Sequence, residues 1–199
     1  MAIDLAVRVK NGVVKGLVRG LLEDAGYQVV PVGYESGTLL KEVQQRSGGR
    51  IQIAGVTSLD GHSPDFFVFD TSSKGGVFVD VRFRSELRNA FFDDLDAQLA
   101  KEPEFTLVLA LGVEAGKRNA PDLSHMVRCC RLRTADGRVE ISRDTTENWA
   151  PLRRDAKVLW RTMAPLRSCF PKAAPVSDEN YERLRGLILA LADPASAAA

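Results

Sequence analysis

The segment FTLVLAL, residues 105–111, limits the fold more than any other part of the chain. A strand with one face in water alternates apolar and polar residues; a near-continuous apolar run marks a strand covered on both faces. Just upstream, Leu87, Phe91, Leu95 and Leu99 recur every four residues and stop before Pro103. That spacing is the buried stripe of an amphipathic helix. A helix that leads into a doubly covered strand is a crossover, so residues 105–111 should lie parallel to a strand that precedes the helix. With 199 residues, 45% of them hydrophobic, the chain can build a full core around such a strand.

The preceding strand is expected in SPDFFVFDTSSKGGVFVDVRFR, residues 63–84, which reads as two strands and a turn. Residues 66–70 are short and apolar, residues 71–76 supply Ser, Lys and a Gly-Gly pair, and residues 77–83 are rich in Val and Phe. Side chains alternate along a strand, so Val79, Val81 and Phe83 share one face and Asp80 and Arg82 the other. Burying Asp80 and Arg82 is expensive unless they are paired or hold a metal. Asp65, directly after Pro64, enters the first strand where the hairpin can bring it close to Asp80.

Earlier residues supply a helix and a strand. Val14, Leu17, Val18, Leu21 and Leu22 form one helical face over residues 13–25, Gly26 ends the helix, and residues 27–32 (YQVVPV) follow as a strand. Pro31 places that strand at an edge or end of the sheet. Residues 38–46 read as a short helix closed by Ser47-Gly48-Gly49, and residues 50–56 as another strand. Ser85 is the expected cap of the crossover helix, with Glu86 in its first turn.

The order helix, strand, strand, strand, helix, strand, together with Pro64-Asp65, fourteen residues, then Asp80-Val81-Arg82, resembles the PD-(D/E)XK nuclease-like superfamily over roughly residues 13–112. The resemblance implies an α/β fold of the restriction-endonuclease-like type, with a mixed central sheet and an αβββαβ core. It also implies that Asp65, Asp80 and the main-chain carbonyl of Val81 hold Mg²⁺ or Mn²⁺, with Glu35 or Glu23 completing the shell, for hydrolysis of DNA. The chain departs from the family pattern twice. Arg82 stands where lysine is usual, and an arginine stays charged in any protein, so it can orient a nucleophile or stabilise phosphate charge but not act as a base. Lys15 and Arg19 lie where members often carry an early helical acid. A catalytically inactive nuclease fold that binds nucleic acid or a protein partner is therefore the alternative expectation.

Charge is distributed unevenly. Residues 113–175 hold 13 Lys/Arg against 7 Asp/Glu, whereas residues 1–112 hold 12 against 15. A basic flank beside an acidic site suits phosphate contact, and Arg84, Lys117, Arg118, Arg131 and Arg133 are its candidate residues. Solvated surface arginines would give the same count. Residues 125–133 and 138–142 read as a hairpin about Asp136-Gly137, residues 152–163 and the segment after Ser177 as helices, and 194–199 as a frayed tail. The expected division is therefore a core at 1–112 and an α/β extension at 113–193 packed on it.

Other chemistries are poorly served. Gly112 to Arg118 has three residues between its glycines and no hydroxyl after Lys117, so it is a loop rather than a phosphate cradle. Cys129 and Cys130 would point to opposite faces of a strand, and His62, His125 and Cys169 form no zinc pattern or nucleophile pair. Three cysteines, no membrane-length apolar run and no signal-peptide core lead to the expectation of a cytoplasmic protein with reduced thiols. DNA is the expected partner, with a protein or a second copy of the chain as the other candidate.

Overall fold

A computed structural model describes residues 5–32, 36–51, 64–72, 75–115, 123–173 and 178–192. These form a seven-stranded mixed sheet with helices on both faces, an α/β architecture. The strands lie in chain order, β1 (Gln28–Pro31), β2 (Phe66–Phe69), β3 (Gly76–Arg84), β4 (Glu104–Leu111), β5 (Val127–Ala135), β6 (Arg138–Ser142) and β7 (Ala150–Pro151). Every neighbouring pair is antiparallel except β3 and β4, which run parallel from Val79 opposite Thr106 to Arg84 opposite Leu111. A parallel pair needs a crossover, and α3 (Phe91–Leu99) provides it.

The doubly covered strand is β4. Phe105, Leu107, Leu109 and Leu111 pack toward α3 and α5 (Ala156–Thr162), and Val108 and Ala110 pack into the core on the opposite face. That opposite layer is made by α1 (Leu5–Asp24), α6 (Leu166–Cys169) and α7 (Asp178–Ala192), with Val14, Val18, Leu22 and Ile188 fully buried. A third cluster sets α2 (Ser36–Ser47) on β1 and β2 through Leu39, Val43, Val30, Phe67 and Phe69. The short α4 (Gly112–Ala115) follows β4 directly, and the carbonyl of Ala115 accepts from Arg185 Nε of α7 at 2.9 Å. Strands β5 to β7 continue the same sheet past β4, so the arginine-rich half extends the central layer.

Local chemistry sets the boundaries. α1 stops because Gly26 takes φ +83°, its N–H bonding to Glu23 O at 2.9 Å and that of Tyr27 to Leu22 O at 3.0 Å. Gly76 is required by space: a Cβ there would lie 2.5 Å from the Phe67 ring and 2.8 Å from the Val68 carbonyl. The β5–β6 turn has φ +50° at Asp136 and +72° at Gly137, the left-handed pair that a two-residue hairpin needs. Pro31 sits in the outermost strand β1, as expected, and Pro151 occupies β7 at the other margin.

Two expectations change. Ser85 does not cap α3; Ala90 takes the cap position without a side-chain bond, and the helix begins at Phe91. β3 stays paired with β4 through Arg84, and the Ser85 carbonyl accepts from Val113 N–H at 2.9 Å, which keeps Ser85 in the strand's path. The helix expected over residues 152–163 begins at Ala156, where the Asp155 carboxylate accepts from Val158 N–H at 2.8 Å. The strand expected at 50–56 lies outside the described residues beyond the buried Ile51. No helix among the described residues is long and apolar enough to cross a membrane.

Candidate functional site

The candidate site is built where β2 stops short of β3. Their pairing ends at Phe66 opposite Val79, and among the described residues no strand pairs with the β2-facing edge of β3 from Val81 onward. Strand residues present N–H and C=O on the same side, so Val79, Val81 and Phe83 turn these groups to that edge, while Asp80 and Arg82 turn theirs toward β4. Side chains take over the ladder. Asp65 N–H donates to Val79 O at 2.9 Å, Val81 N–H donates to Asp65 Oδ2 at 2.8 Å, and Phe83 N–H donates to Asn11 Oδ1 of α1 at 2.8 Å.

Lys15, one turn along α1 from Asn11, completes the corner. Its Nζ lies 2.5 Å from Asp65 Oδ1, so both oxygens of Asp65 are engaged. Asp65 is largely shielded, and its carboxyl is raised from 3.8 to about 6. Burial is the main cause and the nearby negative charge of Asp80 the next; Lys15 and the Val81 N–H pull the other way. Asp80 is buried and receives Arg82 Nε on Oδ2 at 2.6 Å. Arg82 is held in turn by Gln98 Oε1 of α3 and by the Phe91 ring, whose centroid is 5.2 Å from Cζ.

The site thus contains two carboxylates close enough to repel and two cations of the same chain seated on them. Arg84 continues the row, with Nη2 3.3 Å from Asp94 and Cζ 5.3 Å from the Phe91 centroid. Burial and the charge of Arg82 lower its pKa.

Among the sequence candidates, Asp65, Asp80, Val81 and Arg82 come together as a group. Glu23 stands in the last turn of α1 and pairs with Arg19 at 2.9 Å. Glu35, Lys117 and Arg118 lie outside the described residues. Arg131 and Arg133 belong to a different constellation: Arg131 bridges Glu104 at 2.6 Å and Glu147 at 2.8 Å, Arg133 meets Glu140 at 2.7 Å, and both stack on Trp149. Lys15, Asn11 and Gln98 were not among the site candidates. Their sequence signals are a polar pair at i and i+4 on α1, with Lys15 where the resemblance leads one to expect an acid, and one Gln in the α3 stripe.

The donor set can be tested against a divalent cation. Asp65 Oδ1, Asp80 and the Val81 edge would be its natural ligands. The Lys15 ammonium lies on the first of these and the Arg82 guanidinium on the second, so the set as arranged does not fit a metal ion. Among the described residues no group of three or more His, Cys, Asp or Glu converges on one point.

A second concavity, about 510 Å³, opens at the carboxyl ends of β3 and β4 between Glu86, Leu111, His125 and α5. Lys157 and Arg161, exposed and one turn apart on α5, stand on its rim, and Arg128 stacks on Trp160 at 4.9 Å within it. Neither Lys157 nor Arg161 has an ion pair among the described residues, which separates them from Arg131 and Arg133.

No family model, curated protein or solved structure matches the chain.

Proposed function

We propose that the chain is a nuclease-like protein of PD-(D/E)XK type, with a restriction-endonuclease-like core, that binds DNA without cutting it. The element order α1, β1, β2, β3, α3, β4, with α2 inserted between β1 and β2, and the placement of Asp65 and Asp80 support the family reading. The observation that carries the absence of cleavage is Lys15 on Asp65 beside Arg82 on Asp80. A carboxylate pair serves hydrolysis when it carries charge that a hard cation must neutralise; here the chain neutralises it internally. The binding surface is the rim of Lys157 and Arg161, where cations without an acid partner among the described residues can meet phosphates, with Arg128 inside the cleft held by the Ser124 and Trp160 carbonyls.

The test is direct. Purified protein should bind single-stranded or duplex DNA with strong salt dependence. It should leave single-stranded, duplex and branched DNA intact in Mg²⁺ or Mn²⁺. Metal-dependent cleavage that Asp80→Asn abolishes would overturn this reading.

Such cleavage would establish the second reading, Mg²⁺-dependent DNA hydrolysis with Asp65, Asp80 and the Val81 carbonyl as ligands and Arg82 beside the nucleophile. It is favoured by one observation: Asp65 stays raised to about 6 even with Lys15 in contact, because burial first and the charge of Asp80 second disfavour its ionised form, a cost that a bound divalent cation would offset. It requires Lys15 to leave Asp65.

A further inference from the structure

Lys15 is the unusual member of the site. It lies on the buried side of α1, one turn from Asn11 and flanked by the fully buried Val14 and Val18, yet its side chain is 38% exposed. An ammonium in that position could extend into water. Instead it turns onto Asp65 Oδ1, while the other oxygen is held by the strand edge. Asp80 lies near enough for its charge to raise the Asp65 carboxyl, so the ammonium sits where the negative charge of the corner is greatest. A lysine ammonium and a hydrated divalent ion satisfy the same electrostatic demand from different directions: one is covalently attached and carries a single charge, the other is exchangeable and carries two.

We infer that Lys15 acts as a built-in cation occupying the place of a divalent metal on Asp65, and that its removal lets the Asp65–Asp80 corner bind metal even with Arg82 still on Asp80. The inference rests on the nuclease-like reading of that corner and specifies what disables it. Removing the ammonium exposes Asp65 Oδ1. Replacing it with a carboxylate adds a third acidic ligand, reached from α1, beside Asp65 and Asp80. Affinity for a hard cation rises with the number of charged oxygen ligands. Arg82 can remain on the α3 side of Asp80 through Gln98 and Phe91.

The experiment titrates Mn²⁺, without DNA, into wild type, Lys15→Met and Lys15→Glu, and follows binding heat, melting temperature and paramagnetic broadening of assigned amide signals. Wild type should show no saturable binding at this corner. Lys15→Met should broaden the Asp80 and Val81 amides. Lys15→Glu should bind at least about tenfold more tightly than Lys15→Met, with a metal-dependent rise in melting temperature. Adding Asp80→Asn should cancel both gains. Lys15→Met keeps the length and apolar stem of the side chain, so it decides the question if Lys15→Glu does not fold. Site-specific broadening in wild type equal to that in Lys15→Met, or no gain in a folded Lys15→Met, would overturn the inference. Neither result depends on whether DNA binds, so the proposed function fails or stands separately.

Discussion

At the scale of single residues, Asp65 performs structural work that a motif cannot reveal: its carboxylate accepts the Val81 N–H at the edge of β3, as a strand carbonyl would. Its raised carboxyl has a definite consequence for stability. A group whose folded pKa lies above its unfolded value contributes stability below the unfolded value and loses it as pH rises through the folded one. For Asp65 the window runs from 3.8 to about 6. Asp70, held near 2 by Lys172, titrates below it. Asn at position 65 can still accept the Val81 N–H. Urea unfolding against pH should therefore show wild type losing stability relative to Asp65→Asn between about pH 4 and 6, then a constant gap. Parallel curves would show that Asp65 is not perturbed.

The partner pair gives a second expectation. Arg82→Ala leaves the buried Asp80 without its cation and should cost about 3 kcal/mol in chemical denaturation. Arg82→Met combined with Asp80→Asn should recover most of that loss, because no uncompensated charge remains. Equal losses in both variants would show that packing of Arg82 on Phe91, rather than charge, holds this side of the site.

At the scale of elements, pattern spoke most clearly where burial is periodic. The apolar run at 105–111, the four-residue stripe before it and Asp136-Gly137 led directly to β4, α3 and the β5–β6 hairpin. Capping was less legible, because a serine caps only where the chain turns, and pairing of Arg84 with Leu111 decides that at long range. The outcome is testable. Ser85→Ala should change stability by no more than about 0.5 kcal/mol. Asp155→Ala, which removes the acceptor of the Val158 N–H, should cost about 1 kcal/mol. The reverse ranking in thermal or urea unfolding would return the cap to Ser85. The candidate site was half legible for the same reason. Asp65, Asp80 and Arg82 announce themselves by spacing, while Lys15 and Asn11 come from a helix more than fifty residues upstream whose approach to β3 only the fold supplies.

At the scale of the whole molecule, the basic surplus of residues 113–175 divides into two populations. Arg131 and Arg133 are absorbed by Glu104, Glu147, Glu140 and Trp149, so they brace the sheet. Lys157 and Arg161 stand on the cleft rim. Replacing Lys157 and Arg161 together by Ala should weaken DNA binding across sequences and flatten the plot of log affinity against log salt by a slope of about 2. Arg131→Ala should instead lower the melting temperature and leave the salt slope unchanged. An unchanged slope for the first variant would move the binding surface elsewhere.

The two prolines at the margins of the sheet bear on how copies of this protein can meet. Pro31 lies in the four-residue β1 and Pro151 in the two-residue β7, both exposed. Proline offers no N–H, and a strand this short gives an incoming chain little length to pair with. Among the described residues, both borders of the sheet are therefore poor templates for fibril growth or strand exchange.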